Sequence, residues 1–178
     1  MEKKLFSNNY GHVKLCPKLR RLLFSCMEKE QTRYALNGVS VQKEGFTVTD
    51  GLRLFHIDIK HNLEAGMYIL TTDGYLLLAK NMGRFPKWED VVPEKAETEG
   101  KACSLGANKA ISYLVYNINQ NKKCIDLDLF LPVLRLLGDI DAEVQAYKTK
   151  PDMPEKLTGT IMGNQFVFVI MPAKIQEV

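Results

Sequence analysis

A chain of 178 residues, 46% hydrophobic and 25% charged, has the composition of an ordinary globular protein. It is long enough for one domain, or for two small ones that share a core. Its net charge of +3 at pH 7 permits nucleic-acid binding without requiring it, because a localised patch matters more than the total. No apolar run follows the basic start, and none approaches the ~20 residues of a membrane span, so neither a secretory leader nor a membrane protein is expected.

The chain begins with a charge bias. Lys3, Lys4, Lys14, Lys18, Arg20 and Arg21 stand against a single Glu2, which makes either a solvated face or a DNA-facing patch. Residues 5–15 read as short strands about the turn-forming Asn8-Asn9-Tyr10-Gly11. Pro17 suits the first turn of a helix. Leu19, Leu22, Leu23, Cys26 and Met27 then recur at helical spacing. The opposite face carries Arg21 and Glu28, flanked by Lys18, Ser25 and Lys29.

Residues 33–43 and 46–60 read as strands. In the second, Phe55, Ile57 and Ile59 alternate with His56, Asp58 and Lys60, a period of two with one face buried. Segments 67–72 and 75–80 flank Asp73-Gly74 and predict a hairpin with a tight primed turn. Residues 94–102 are charged and contain Gly100, which makes them the linker. Residues 111–118 fit a helix and a strand alike; the Asn-rich stretch after them favours a strand and a turn into 124–127. A second helix is predicted over 129–137, capped by Asp128 and stopped by Gly138, with Pro132 tolerable only near its first turn. Residues 144–148 follow as a strand, and 156–162 with 165–171 as a last hairpin about Gly163-Asn164.

The order of elements predicts an α+β fold with antiparallel sheets and two helices on one face. It divides into a first unit with linker strands, 1–95, and a second unit, 96–178; the alternative is one compact domain overall.

Catalytic and metal patterns are missing. Cys16, Cys26, Cys103 and Cys124 form no C-x-x-C pair and have no His at zinc spacing, so they read as buried reduced thiols of a cytoplasmic protein. His12, His56 and His61 are scattered and read as structural. Asp126 and Asp128 have no third ligand nearby and read as capping and solvation. Gly159-Thr160-Ile161-Met162-Gly163 lacks the Gly-Lys-Ser/Thr ending of a phosphate loop. No pairing activates a nucleophile. No cofactor and no metal are expected.

Four motifs point elsewhere. Arg33-Tyr34-Ala35-Leu36-Asn37-Gly38-Val39 and Thr49-Asp50-Gly51-Leu52-Arg53-Leu54 read as strands that end in a polar, Gly-hinged turn. Gly83-Arg84-Phe85-Pro86-Lys87-Trp88 follows, closing with Val91-Val92-Pro93, and Val167-Phe168-Val169-Ile170-Met171-Pro172-Ala173-Lys174 comes last. In this order they resemble the bacterial sliding clamp, the beta subunit of DNA polymerase III. The resemblance covers most of residues 10–95 and 123–175, in a condensed form of about half the usual length, without the middle helix expected between residues 60 and 67.

The resemblance implies a DNA clamp-like fold and a non-catalytic processivity factor of DNA replication, associated with a DNA-directed DNA polymerase. Its partners would be a polymerase or other clamp-binding proteins, held by a linear peptide motif in a groove. One wall maps onto Leu36, Thr49, Gly51, Leu52, Arg53 and Leu54; Pro86 and Val91 come from the linker; Val169, Met171, Pro172, Ala173 and Lys174 form the other wall. Leu36, Leu52, Leu54, Val169 and Met171 would supply an apolar lining, and Arg53 would bond the peptide or pair with a local carboxylate. Leu52 stands where the family commonly has His, Asp90 where it has a basic residue, and Ala173 where it has a larger apolar one. Duplex DNA would be met by Lys18, Arg20, Arg21 and Lys29, through phosphates and without sequence reading; the second helix offers only Arg135 among Asp128, Asp139 and Asp141. A clamp also implies a homo-oligomer. The alternative is a stand-alone peptide-binding adaptor that does not encircle DNA.

Overall fold

Alternating apolar and polar residues build one antiparallel sheet of eleven strands among the described residues. The computed structural model describes residues 6–9, 12–28, 36–80, 82–93, 98–106, 124–150 and 152–173. Its strands are β1 (Phe6–Asn9), β2 (His12–Leu15), β3 (Val39–Gln42), β4 (Gly45–Thr49), β5 (Arg53–Asp58), β6 (Gly66–Leu70), β7 (Tyr75–Leu78), β8 (Thr98–Gly106), β9 (Glu143–Thr149), β10 (Glu155–Ile161) and β11 (Asn164–Ile170). Across the sheet they lie in the order β1-β2-β7-β6-β3-β4-β5-β11-β10-β9-β8. The pairing of β5 with β11, with Leu54 opposite Val169 and His56 opposite Val167, joins the strands before residue 80 to those after residue 97.

The register sorts side chains onto two faces. Val41, Phe46, Ile57 and Phe166 line up across β3, β4, β5 and β11, as do Val48, Phe55 and Phe168. All seven belong to the buried core, together with both helices. Helix α1 (Pro17–Ser25) buries Leu19, Leu22 and Leu23. Helix α2 (Leu127–Asp139) buries Phe130, Val133, Leu134 and Leu137. Phe130 stacks on Phe168 with ring centroids 6.1 Å apart. The fold is therefore α+β with both helices in the apolar layer. The other face carries Ser40, Thr47 and His56 in one row and Thr49, Leu54 and Val169 in the next.

Local chemistry moved several predicted boundaries. The segment 46–60 is two strands, because Gly51 turns the chain at φ +88 between β4 and β5. β3 starts only at Val39; residues 36–38 are a turn, and 33–35 lie outside the described residues. The β6–β7 loop is wider than a two-residue primed turn. Gly74 alone takes positive φ there, its N–H bonds the carbonyl of Thr71, and Thr71 N–H bonds that of Tyr75. This is a turn closed by a glycine bulge. In the last hairpin the positive-φ pair is Met162 and Gly163, one residue earlier than predicted. Asn164 instead pairs with Ile161, and its side-chain amide donates to the carbonyls of Ile161 and Met162.

Helix α2 is longer than predicted at both ends. Its cap is Asp126, whose carboxylate accepts from the N–H groups of Asp128 and Leu129, so Asp128 falls in the first turn. Residues 124–126 are irregular and lead into the helix. Gly138 lies inside it. The stop comes at Asp141, in the left-handed region at φ 55, with Ala142 N–H bonded to Leu137 O and Asp141 N–H to Gly138 O. This is the two-bond C-terminal motif usually closed by glycine. The predicted linker 94–102 is largely strand: residues 98–102 open β8, which pairs with β9 and satisfies that strand's outer edge. Backbone pairing is indifferent to the charged side chains that made the segment look like a linker. Residues 94–97 and 111–118 lie outside the described residues, as do Tyr10 and Gly11 of the first predicted turn. No helix among the described residues is long and apolar enough to cross a membrane.

Candidate functional site

The β4–β5 turn is held by its own polar side chains. Asp50 Oδ1 accepts from the N–H groups of Leu52 at 2.9 Å and Arg53 at 2.7 Å. Thr49 Oγ1 donates to Arg53 O and accepts from Gly51 N–H. Arg53 grips Asp50 Oδ2 through Nε at 2.8 Å and Nη2 at 2.6 Å, and its Nη1 donates to the carbonyl of Leu129 in α2. Of the two roles expected for Arg53, pairing with a local carboxylate is the one seen. Both side chains of the pair are only 10% exposed, so the pair is a structural tie between turn and helix.

This turn projects beside the end of β11, where Met171 N–H bonds Leu52 O. Across the joint the segment 82–93 lies over the polar face of the sheet. Trp88 stacks on His56 with ring centroids 4.2 Å apart and planes at 15°. His56 is held from beneath by Thr47 at 2.8 Å and Asp58 at 3.0 Å. Trp88 Nε1 is buried without an acceptor among the described residues.

Turn, joint and overlying segment enclose a cavity of about 360 Å³. Leu36, Thr49, Gly51, Leu52, Arg53 and Leu54 line one side, and Val169 and Met171 the sheet side. Pro86 and Val91 come from the overlying segment. Ten of the thirteen residues predicted for the groove thus meet at one place. Leu52, Val91 and Met171 are 55%, 43% and 40% exposed and form an apolar rim, while Leu54 and Val169 are buried as its floor. Such a rim retains free energy for a ligand to release.

Pro172 and Ala173 do not line the cavity. The chain turns away there, and Ala173 N–H bonds the carbonyl of Cys124. Lys174 lies outside the described residues. Lys87 and Trp88 do line it and were not predicted, although they sit inside the motif that supplied Pro86. The only aromatic ring between Pro86 and Val91 was the available signal.

The basic residues of α1 divide. Lys18 Nζ donates to the carbonyl of Asp139 at the end of α2, and Arg20 Nη1 to that of Thr72 in the β6–β7 loop. Both are tertiary contacts. Arg21 is exposed, and Lys29 lies outside the described residues. Burial pushes the Cys26 thiol up to about 12, with Ser25's hydrogen bond and then Arg53 opposing and Asp50 adding slightly. The thiol is therefore protonated at neutral pH and a poor nucleophile. Its contribution to stability is present below its ordinary value near 9 and is lost as pH rises towards 12. Burial, and then the charge of Glu64, also raise Tyr68. Cys16 caps α1 by accepting from Leu19 N–H, and Cys124 is exposed. Among the described residues no three metal-ligating side chains converge.

The fold is that of the bacterial DNA polymerase sliding clamps. The clamp of Pseudomonas aeruginosa aligns with a TM-score of 0.61 at 13% identity, over 95% of this chain and 68% of that one. The same organism's clamp bound to griselimycin aligns at 0.59 and 14% identity, over 95% and 67%. The Helicobacter pylori beta clamp bound to a DNA ligase peptide aligns at 0.58 and 12%, over 89% and 63%. The chain thus corresponds to about two thirds of a clamp subunit. No protein-family model and no curated protein matches its sequence.

Proposed function

We propose that this chain is a non-catalytic, clamp-like protein of DNA replication that binds a polymerase or other replication proteins through a short linear peptide. In this reading residues 1–95 and 96–178 are two clamp-like units, and the chain belongs to the sliding-clamp family in condensed form. One observation carries it: the cavity at the β5–β11 joint is lined by apolar side chains from four separate motifs, on a clamp fold. The H. pylori clamp, with the same fold, holds a DNA ligase peptide. An apolar cavity rimmed by exposed Leu52, Val91 and Met171 suits one or two large peptide side chains.

The test is fluorescence anisotropy with a labelled peptide carrying Gln or a similar polar residue ahead of a Leu-Phe pair. Binding is expected, and Met171→Ala is expected to weaken it by roughly 1–2 kcal/mol, because the side chain is flexible, exposed and on the rim. Absence of binding at hundreds of micromolar, or an unchanged affinity in the variant, rejects the groove.

Ring formation and DNA contact belong to the same reading. β1 and β8 end the sheet with one side unpaired among the described residues, an arrangement that favours self-association. Arg21 is the most exposed cation of α1, beside Lys18 and Arg20, which keep their charge while donating to backbone carbonyls. Sedimentation equilibrium at micromolar concentration is expected to give a homo-oligomer, and added duplex DNA to co-sediment weakly and less so as salt rises. A strict monomer leaves the stand-alone adaptor as the function.

A further inference from the structure

The polar face of the sheet carries another cavity, of about 340 Å³, on β5, β9, β10 and β11. It shares no lining residue with the cavity at the β5–β11 joint. The register builds it. His56, Val167, Thr158 and Gln145 stand in one row across these strands. Gln165 and Thr160 pair in the next row, and Asp58 lies on the same face two residues beyond His56. Val167 is a half-buried apolar floor, and the walls are hydroxyls, amides and a carboxylate.

Among the described residues Asp58 is the only charged side chain that lines this cavity. One of its oxygens lies 3.0 Å from His56 Nε2, yet the side chain stays 51% exposed, so the carboxylate is open to a ligand. As a neutral imidazole His56 makes both of its bonds: Nε2–H donates to Asp58, and Nδ1 accepts from Thr47 Oγ1 at 2.8 Å. Two charges stand beside the lining. Glu143 accepts from Thr160 Oγ1 at 3.2 Å, and Lys156 lies 5.5 Å over the Tyr147 ring while its Nζ donates to Pro93 O. They are of opposite sign, so the site keeps the negative charge of Asp58.

The uncharged acceptors narrow the class of cation. The hydroxyls of Tyr147 and Thr158 lie 3.1 Å apart, and Tyr147 lies 3.5 Å from Gln145 Oε1. Acceptors are thus spread over a sheet face around one carboxylate. An ammonium offers three donors at a point, whereas a guanidinium offers five in a plane and reaches a carboxylate and a neighbouring oxygen together. We infer that this cavity is a second binding site and that its ligand is an arginine side chain of a partner protein. Val167 carries the apolar stem of that side chain. The inference does not depend on the peptide groove.

The experiment is an NMR titration of the full, isotope-labelled chain with the acetylated amide of arginine, read from the side-chain amides of Gln145 and Gln165. The citrulline analogue keeps the shape without the charge, and the lysine analogue keeps the charge without the plane. Measurements are made at pH 8, with imidazole in its neutral form, at low and high salt. Both glutamines are expected to shift. Arginine is expected to bind about two- to fivefold tighter than citrulline at low salt, the size of an exposed ion pair, and by a smaller factor at high salt. Lysine is expected to bind more weakly than arginine. Asp58→Asn keeps an acceptor for His56 and removes the advantage of arginine over citrulline. Equal binding of arginine and citrulline, an advantage that survives Asp58→Asn, or lysine bound as tightly as arginine overturns the inference. So does the absence of a shift at either glutamine.

Discussion

Phe168→Ala is expected to lower the unfolding free energy by roughly 3–5 kcal/mol, the usual range for emptying a buried aromatic site. Phe168 is fully buried in β11. It lies opposite Phe55 on β5 and Leu157 on β10, and Phe130 of α2 stacks on it. Its ring therefore touches the joint between the two halves of the sheet and the helix packed over them. Neighbours on three sides belong to regular elements and cannot collapse into the space without moving backbone, which places the loss in the upper half of that range. Urea denaturation of the variant gives the number: the midpoint should fall with little change in slope. A loss below about 1 kcal/mol would mean that this ring is not a keystone of the joint.

Asp50→Ala is expected to cost roughly 3–5 kcal/mol, because it strands a guanidinium that is nearly buried. Arg53 and Asp50 are each 10% exposed, and the carboxylate also accepts the N–H groups of Leu52 and Arg53. Removing it unties the β4–β5 turn and loosens the anchor on Leu129, so Gly51 and Leu52 lose their fixed place at the cavity. Peptide affinity should fall together with stability. The paired measurements are denaturant unfolding and anisotropy on the same preparation, with Arg53→Met/Asp50→Ala as the control. If the double variant recovers most of the stability, the cost lies in the stranded charge; if it recovers none, the cost lies in the backbone bonds of the turn.

Periodicity carried much of this architecture. The apolar stripe from Leu19 to Leu23 is buried as a helix, with Cys26 and Met27 buried just past its end, and the alternation of Phe55 and Ile57 with His56 and Asp58 is a strand with two unlike faces. Errors gathered where local signals compete. Asp126 and Asp128 are chemically equal as caps, and the choice depended on where α2 could begin while still burying Phe130 and Leu134. Gly138 and Gly163 marked their neighbourhoods, yet Asp141 and Met162 took left-handed conformations beside them. The charged residues from Thr98 onward became a strand because β9 offered an edge, a reason far along the chain, with Glu99 opposite Lys148.

By itself the sequence determined most of the helices and strands, since each follows from spacing and residue chemistry within a few positions, while the resemblance to the clamp family supplied most of the cavity lining. Tertiary structure alone decided the pairing of β5 with β11, which is non-local and brings Leu54 to Val169. It decided that Arg53 also donates to Leu129 O, and that Lys18 and Arg20 donate to distant backbone carbonyls. It also decided that Trp88, stacked on His56, closes the cavity while Pro172 and Ala173 turn away from it. The physical reason is the same each time. A charged or aromatic side chain takes whichever partner the fold brings near, and that partner lies far along the chain, beyond the reach of any periodicity.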